Sequence, residues 1–196
     1  FAMQSRAQPF TCGRVIERGG EKNSLATDAA PKSTDPTPKS VLDTAGNLYV
    51  AGMKNGFIDI VKYDPSGNKL WENLSGATGA ATAIAIGRNN DVFIIGWTDS
   101  LVATTNGAYD YITIRYTMTS GARLWTKIYA GSQSSDDVPY AIAVDTIGSV
   151  YVTGSAATGG WWDMLTVKYD MNGAKKWEKV FDGGGYDYGT AIAIDR

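Results

Sequence analysis

The fold is decided by the stretch Ala141-Ile-Ala-Val-Asp145, then Gly148-Ser-Val-Tyr-Val-Thr-Gly154, then Asp163-Met-Leu-Thr-Val-Lys-Tyr-Asp170 and a downstream Trp177. Each segment is short, rich in Val, Ile, Leu and Tyr, and bounded by Gly, Asn or Asp, which is typical of strands joined by tight turns. A helix would need about ten or more uninterrupted residues. The stretch therefore predicts four consecutive β-strands.

The same pattern occurs three times. Tyr63, Tyr116 and Tyr169 follow a β-branched run at equal intervals of about 50 residues. Behind each tyrosine comes a turn and the motif Gly-x-x-x-Trp; the motifs begin at Gly67, Gly121 and Gly173 and end at Trp71, Trp125 and Trp177. A pattern that recurs at a fixed period indicates a repeat architecture in which each unit is one supersecondary element.

Each unit therefore contains a four-stranded antiparallel meander. Strands such as the one around Phe93 and Ile94 are apolar on both faces, as a sheet packed between two other sheets requires. These features predict an all-β chain of β-propeller-type blades. We expect three units, at about residues 40–76, 80–131 and 138–182, and the first strand of a fourth at 188–196, so that the chain forms a partial propeller.

In motif order, residues 40–196 resemble the bacterial seven-bladed β-propeller repeat family SBBP. The resemblance rests on Ile-Ala-Val-Asp, Gly-Ser-Val-Tyr-Val-Thr-Gly and the segment from Asp163 to Asp170, followed by Asn-Gly and a tryptophan. Proteins of this family are secreted or found on the bacterial cell surface, and most have no assigned function. The resemblance therefore implies an architecture and an extracellular or cell-surface location more than an activity.

The first unit departs from this pattern in two places. It is two residues short before Tyr63, so Asp59 is out of step with Asp110 and Asp163. In addition, Gly79 stands where Asp137 and Asp187 precede the first strand of their units.

Residues 1–39 differ in composition from the repeats. Asn23 to Ser40 carry three prolines among Ser, Thr, Asp and Lys, a composition that does not repay the entropy of ordering. We interpret this segment as an irregular leader or linker. It holds Cys12, the single cysteine, which cannot form an internal disulfide and does not settle the cellular compartment.

Composition excludes several classes of function. The chain has no histidine, which removes the Ser/His/Asp triad, the Cys/His dyad and His-bearing zinc sites. With 18 basic and 20 acidic residues it offers no basic field for nucleic acid. No apolar run approaches the roughly 20 residues that a membrane-spanning helix needs. We expect neither a nucleic-acid partner nor a membrane span.

Four Asp-x-x-Gly segments, at Asp43, Asp64, Asp145 and Asp170, could suggest calcium loops. They lack the further acidic positions and the distal Glu of such a loop. Hairpin turns, in which Asp bonds the backbone two residues on, explain them better. We therefore expect no bound metal.

The repeated tryptophans are similar to those of quinone-binding propellers, in which the same Gly-x-x-x-Trp motif recurs in each blade. In those proteins the ring holds adjacent blades together, so packing is the preferred interpretation here and no cofactor is expected. The basic residues before the tyrosines are Lys62, Arg115 and Lys168. They could contact a ligand, but pairing with a nearby repeated Asp is the simpler expectation.

Two sets of loops are expected to lie on one end of the blades and to form a candidate binding face. They join one unit to the next and the second to the third strand of each unit. Trp161 and Trp162 are the least explained by a core, because neighbours on a strand point to opposite sides. One of them either covers the blade or forms an exposed stacking platform of the kind that binds sugars. The face comprises Trp97, Asp99, Asp136, Asp137, Trp161, Trp162, Tyr186 and Asp187.

We interpret the chain as a non-catalytic structural and interaction module. The alternative is a fragment of a carbohydrate-active or quinone-dependent enzyme, although no spacing among the carboxylates singles out a pair for glycoside hydrolysis. Three units do not complete a ring, since propellers close with about four to eight blades. The expected partners are therefore other copies of the chain, the remainder of a longer propeller, or a glycan or protein ligand.

Limited proteolysis tests the assignment of residues 1–39. We expect a protease to remove this segment before it cuts the blades, because strands bonded in a sheet resist local opening. Mass spectrometry of the early fragments is the measurement. Cleavage within the blades while the segment stays intact would contradict the assignment.

Overall fold

The structure is a computed structural model that describes residues 39–99, 108–131, 135–158 and 161–195. These residues form twelve β-strands in three four-stranded sheets, which confirms the predicted all-β class. No closed sheet is formed within these ranges. The same ranges contain no helix of the length and hydropathy that crossing a membrane requires.

Each sheet is an antiparallel meander, which we call a blade. Its strands are hydrogen-bonded in sequence order, so every strand pairs with its neighbours along the chain. Blade 1 contains β1 (Lys39–Leu42), β2 (Leu48–Lys54), β3 (Phe57–Tyr63) and β4 (Lys69–Thr78). Blade 2 contains β5 (Ala80–Gly87), β6 (Asp91–Asp99), β7 (Tyr109–Thr117) and β8 (Arg123–Tyr129). Blade 3 contains β9 (Val138–Val144), β10 (Val150–Thr158), β11 (Trp161–Tyr169) and β12 (Lys175–Phe181).

The Asp-x-x-Gly segments form hairpin turns, as predicted. Asp64 Oδ1 accepts hydrogen bonds from the backbone N–H groups of Ser66 and Asn68, both at 2.8 Å. Asp170 Oδ1 does the same with Asn172 and Ala174, both at 2.9 Å. These turns lie at one end of the blades, which we call the turn end. The other end is the loop end.

Two apolar cores lie between the blades. Blade 2 is buried on both sides: Phe93 faces blade 3, while its neighbour Ile94 faces blade 1. The sheets therefore stack face to face, which explains why the strands are apolar on both faces. Each fully buried aliphatic side chain such as Ile94 stabilises this stack by about 1.5–3 kcal/mol.

A tryptophan connects each blade to the next, and we call this contact the lock. The Nε1 atom of Trp71 in blade 1 donates to the Met118 carbonyl oxygen of blade 2 at 3.1 Å. Trp125 in blade 2 donates in the same way to Met171 of blade 3 at 3.0 Å. The repeated tryptophans are thus packing residues that also bond to the backbone of the adjacent blade.

Glycine is required under each lock. At Gly121 an added Cβ would lie 2.6 Å from the Trp71 ring, and at Gly173 it would lie 3.1 Å from Trp125. Both glycines have positive φ, a conformation that other residues rarely adopt. In the Gly-x-x-x-Trp motif, the glycine therefore leaves room for the tryptophan of the preceding blade. The tryptophan of the motif contacts the following blade.

The repeated basic residues take part in the same lock. Lys62 lies opposite Trp71 in the strand register, and its Nζ donates to the Met118 carbonyl at 3.0 Å. Arg115 bonds both the Met171 carbonyl and, at 2.5 Å, the Asp91 carboxylate. The expected pairing with an Asp is thus correct for Arg115 and wrong for Lys62. A backbone carbonyl takes that place because the turn of the next blade lies within reach.

The first unit departs from the others in the two places that the sequence indicates, and a steric reason is visible at Gly79. β3 has seven residues, whereas β7 and β11 have nine. Gly79 has φ of +128°, and an added Cβ there would lie 2.0 Å from the Trp97 carbonyl oxygen. No side chain fits where blade 1 passes to blade 2, so Asp is replaced by Gly at this junction.

Two predicted segments lie outside the three blades. The leader, residues 1–39, lies outside the described residues except for Lys39, with which β1 begins. Residues 191–195, predicted as the first strand of a fourth unit, pair with no strand among the described residues. The preceding residues still contact blade 3: Gly189 N donates to the Gly154 carbonyl at 3.1 Å, and Tyr188 packs against Tyr140.

Truncation of a lock residue should destabilise the fold. We expect Trp125→Ala to lower the free energy of unfolding by about 3–5 kcal/mol, the range for deleting a large packed aromatic. Trp177→Ala is the matched control, because Trp177 occupies the same position in blade 3 but is 38% exposed. Thermal and urea unfolding measure both. Equal losses for the two variants would contradict the assignment of the lock.

Candidate functional site

The loop end brings together the residues that were predicted to form a binding face. Here the segments between blades return to the start of each blade's third strand. Asp137 N donates to the Tyr109 carbonyl at 2.6 Å, and Asp187 N donates to the Trp162 carbonyl at 2.7 Å. The two sets of loops therefore lie on one end of the stack, as the meander order implied.

Three aromatic side chains cluster at the loop end of blade 3. Trp162 stacks on Tyr186 with ring centroids 5.5 Å apart and an angle of 28° between the planes. Trp161 meets the same tyrosine edge to face at 5.0 Å and 83°. Trp162 is half-buried, whereas Trp161 is 52% exposed. Of the two predicted alternatives, Trp162 takes the covering role and Trp161 offers an exposed ring.

A second aromatic pair lies at the loop end of blade 2. Trp97 packs on Tyr109 with centroids 4.3 Å apart. Asp136 joins this pair to blade 3, since its Oδ1 accepts from Tyr109 N at 3.0 Å and its carbonyl accepts from Trp162 Nε1 at 2.8 Å. Asp99 is exposed at the end of β6. Asp136 thus links the aromatic pair of blade 2 to Trp162 of blade 3.

Asp137 has a different place from the one predicted. It is 1% exposed, and its carboxylate accepts hydrogen bonds from Gly131 N at 2.5 Å and Ala157 N at 3.0 Å. The buried side chain therefore stabilises the linker between blade 2 and blade 3. It is not part of the binding face. The sequence placed it in the correct loop, but its direction depends on the neighbouring blade.

Burial dominates the electrostatics of Asp137. Desolvation raises the pKa of its carboxyl group to about 7, although the two backbone donors lower the pKa. The nearby carboxylates of Asp110 and Asp136 raise the pKa further. This group therefore exchanges its proton near neutral pH, far above the usual range for Asp.

Asp163, Asp182 and Asp187 form an acidic cluster that sequence reasoning identified only in part. One carboxylate oxygen of each lies within 4.8 Å of the other two. Oxygens in such a group are of the type that a hard divalent cation prefers. The signal that could have indicated it is the run Asp182-Gly-Gly-Gly185, which brings the chain back over β11.

The hydrogen bonds within the cluster indicate a structural role. Asp187 accepts from Gly183 N at 2.6 Å, which repeats the contact between Asp137 and Gly131 one blade earlier. Asp182 caps Gly184 N at 2.8 Å. The same carboxylate-to-glycine contact occurs after blade 2 and after blade 3. A role in holding the linker that leaves each blade therefore explains it.

The fold defines a β-propeller-type repeat protein: meander blades stacked face to face, with one tryptophan lock at each of the two interfaces. Residues 124–158 match the family model SBBP, described as a beta-propeller repeat. This match confirms the suspected SBBP repeat over residues 124–158. None of the curated proteins matches the chain.

The matched repeat is out of phase with the blades. Residues 124–158 begin on β8, the outer strand of blade 2, and end on β10, the second strand of blade 3. One family repeat therefore contains a lock tryptophan, Trp125, and the loop-end residues Asp136 and Asp137. The sequence unit encodes the junction between two blades.

Titration of Asp137 should make stability depend on pH. The unfolded chain releases this proton near pH 4, whereas the folded protein holds it to about pH 7. Between these values the folded state binds more protons, so stability falls as pH rises. We expect the free energy of unfolding, measured in urea, to be lower at pH 8 than at pH 5.

Two variants distinguish the titration of Asp137 from that of the other carboxyl groups. Asp137→Asn should remove most of the decrease between pH 5 and 8, because Asn does not titrate. Asp136→Asn, one residue away and only half-buried, should keep the decrease. The same slope in wild type and Asp137→Asn would refute the role assigned to this group.

Proposed function

We propose that the chain is a non-catalytic β-propeller module that serves as a structural and interaction scaffold in a secreted or cell-surface bacterial protein. The observation that carries the proposal is that the repeated side chains contact the adjacent blade. The lock residues Trp71, Lys62, Trp125 and Arg115 all bond to a backbone carbonyl of the adjacent blade. Side chains that recur in every unit thus hold units together.

The same argument supports packing over a quinone site. A quinone-dependent enzyme would need cofactor contacts, but the Gly-x-x-x-Trp tryptophans of blades 1 and 2 are engaged between blades. Trp71 donates to the Met118 carbonyl of blade 2, and the Trp125 ring centroid lies 6.3 Å from that of Tyr169 in blade 3. The buried Asp137 is likewise engaged by two backbone donors.

The loop end is the surface we assign to a partner. Exposed aromatic area rimmed by polar groups marks interaction sites on soluble proteins. Trp161 is held edge-on by Tyr186 with half of its surface exposed, while Asp136 fixes the neighbouring Trp162. An exposed indole ring suits a glycan, whose C–H faces stack on the ring.

Binding to immobilised glycans tests the surface. We expect Trp161→Ala to weaken binding by about tenfold or more, equivalent to a loss of about 1.4 kcal/mol or more. Ile147→Ala is the matched control, because this residue is 69% exposed at the turn end. Binding that survives Trp161→Ala, or that falls equally in the control, would contradict the assignment.

The location can be tested independently. Protease added to intact cells that carry the native gene should digest the chain, or the chain should appear in the culture medium. A cytoplasmic protein measured in the same samples serves as the control for lysis. Protection of the chain until the cells are broken would refute the proposed secreted or cell-surface role.

A further inference from the structure

The two interfaces between blades differ at their outer strands. At the interface of blades 2 and 3, the side chain of Tyr129 on β8 bridges the two sheets. Its ring centroid lies 5.9 Å from that of Tyr111, and Lys175 Nζ of blade 3 lies over the ring at 5.3 Å. Burial and the neighbouring Glu178 carboxylate raise the pKa of its hydroxyl group to about 12. A phenol ring thus occupies this interface, with a cation over its face and a polar group beside its hydroxyl group.

The corresponding positions at the interface of blades 1 and 2 carry smaller side chains. Ser75 lies four residues after the lock tryptophan of blade 1, as Tyr129 does after that of blade 2. Thr126 follows the lock tryptophan directly, as Glu178 follows Trp177 in blade 3. Serine and threonine therefore replace the tyrosine and the glutamate.

A cavity of about 460 Å³ lies at the interface of blades 1 and 2, where the side chains are smaller. Its apolar lining comes from Ala77, Ile112 and Ile128, and Thr126 also contacts it. The Ser75 hydroxyl group is directed elsewhere, since its Oγ accepts from Ala77 N at 3.0 Å. The volume lies within the range of small-molecule sites.

The pocket beside Tyr129 is of a different kind. It measures about 370 Å³, and its walls include the Tyr129 ring itself together with Gly173 and Lys175. Leu165, the counterpart of Ile112 in blade 3, is not among its lining residues. Only the cavity between blades 1 and 2 therefore reaches the buried third strand of the following blade, among the described residues.

Two polar groups of the cavity are suitably placed for a ligand. Thr126 Oγ1 is buried and has no hydrogen-bond partner among the described residues. Buried hydroxyl groups are normally hydrogen-bonded, so this atom indicates a missing partner. Arg123 lies opposite Tyr116 in the strand register, as Lys175 lies opposite Tyr169. A hydrogen bond to the Ser75 carbonyl holds its guanidinium group at the cavity.

We propose that this cavity binds a small phenol, that is, a molecule with one hydroxylated aromatic ring. The ring lies against Ile112 and Ile128, with the Arg123 guanidinium group over its face, and its hydroxyl group donates to Thr126 Oγ1. The ligand thus takes the place that the Tyr129 side chain has at the next interface. The site lies between two blades and goes beyond the proposed scaffold role, which uses neither Ser75 nor Thr126.

The chemistry of the lining favours a neutral aromatic ligand. A cation beside an apolar space attracts the face of an aromatic ring. A carboxylate would lose its hydration against Ala77, Ile112 and Ile128, and the single guanidinium group is exposed and already bonded to a carbonyl. Water needs several polar partners, which three apolar side chains do not provide.

The probe for this site is 4-methylphenol, which has the structure of a tyrosine side chain. We expect one molecule to bind per chain, with a dissociation constant on the order of 1 mM or below. Isothermal titration calorimetry measures the binding, and amide chemical shifts should change at residues 75–77 and 126–128. The melting temperature should rise with the concentration of the probe.

Substitution of Ser75 tests the location of the site. Ser75→Tyr supplies the ring from the chain itself and should abolish binding. Ser75→Ala is the matched control, because it removes the same hydrogen bond to Ala77 N but leaves the space open. This variant should bind as wild type does.

Substitution of Thr126 tests the chemistry and does not depend on the folding of Ser75→Tyr. Thr126→Val keeps the shape of the side chain and removes the acceptor. It should weaken the binding of 4-methylphenol by about 2- to 10-fold, the effect of one hydrogen bond. Toluene lacks the hydroxyl group, so its binding should not change. Trp161→Ala should leave both probes unaffected, because the exposed ring at the loop end is a separate surface.

Three results would overturn the proposal. The first is no binding of 4-methylphenol by the wild-type protein up to its solubility limit, which would mean that the cavity holds water only. The second is binding that persists in folded Ser75→Tyr. The third is a Thr126→Val variant that binds 4-methylphenol as wild type does, or that loses toluene to the same extent.

Discussion

The contact between the tryptophan of one blade and the turn of the next is the constraint on which the structure depends. A meander of four short strands has two apolar faces and cannot bury both of them alone. The indole ring covers a glycine that has no side chain, and its N–H satisfies a carbonyl at the end of the adjacent hairpin. The lock therefore fixes the separation and the rotation of adjacent sheets at the turn end, while apolar burial between them supplies most of the stability.

At the loop end the chain leaves one blade and enters the next, so this end needs contacts that hold the linkers. Asp137 and Asp187 each reach back to a glycine N–H of the preceding segment. For Asp137, burial works against ionisation while the hydrogen bonds favour it, and the balance leaves the carboxyl pKa near 7. At the first junction Gly79 replaces the acid, since the Trp97 carbonyl approaches too closely for any side chain. Two junctions of equal topology are thus secured by different means.

The turn end and the loop end carry different kinds of contact, and this difference bears on the proposed function. The turn end is occupied by capped hairpins and locks, all directed at neighbouring blades. The loop end carries the aromatic cluster of Trp161, Trp162 and Tyr186, in which two rings are fixed and one is partly exposed. The surface that we propose for a partner therefore lies at the end that the locks do not occupy.

The sequence alone determined the strand order, the four-stranded unit and its three-fold repetition, because β-branched runs and Asp-x-x-Gly turns act locally. It also placed the candidate face at one end, since a meander puts alternate connections on the same side. Only the tertiary structure decided where individual side chains point. Asp137 turns inward, where it meets backbone donors 6 and 20 residues away, on the two sides of the passage between blades. Lys62 reaches a carbonyl that lies 56 residues away on the next blade, and not an acid. A local sequence pattern encodes neither contact, because both depend on how the strands and blades pack.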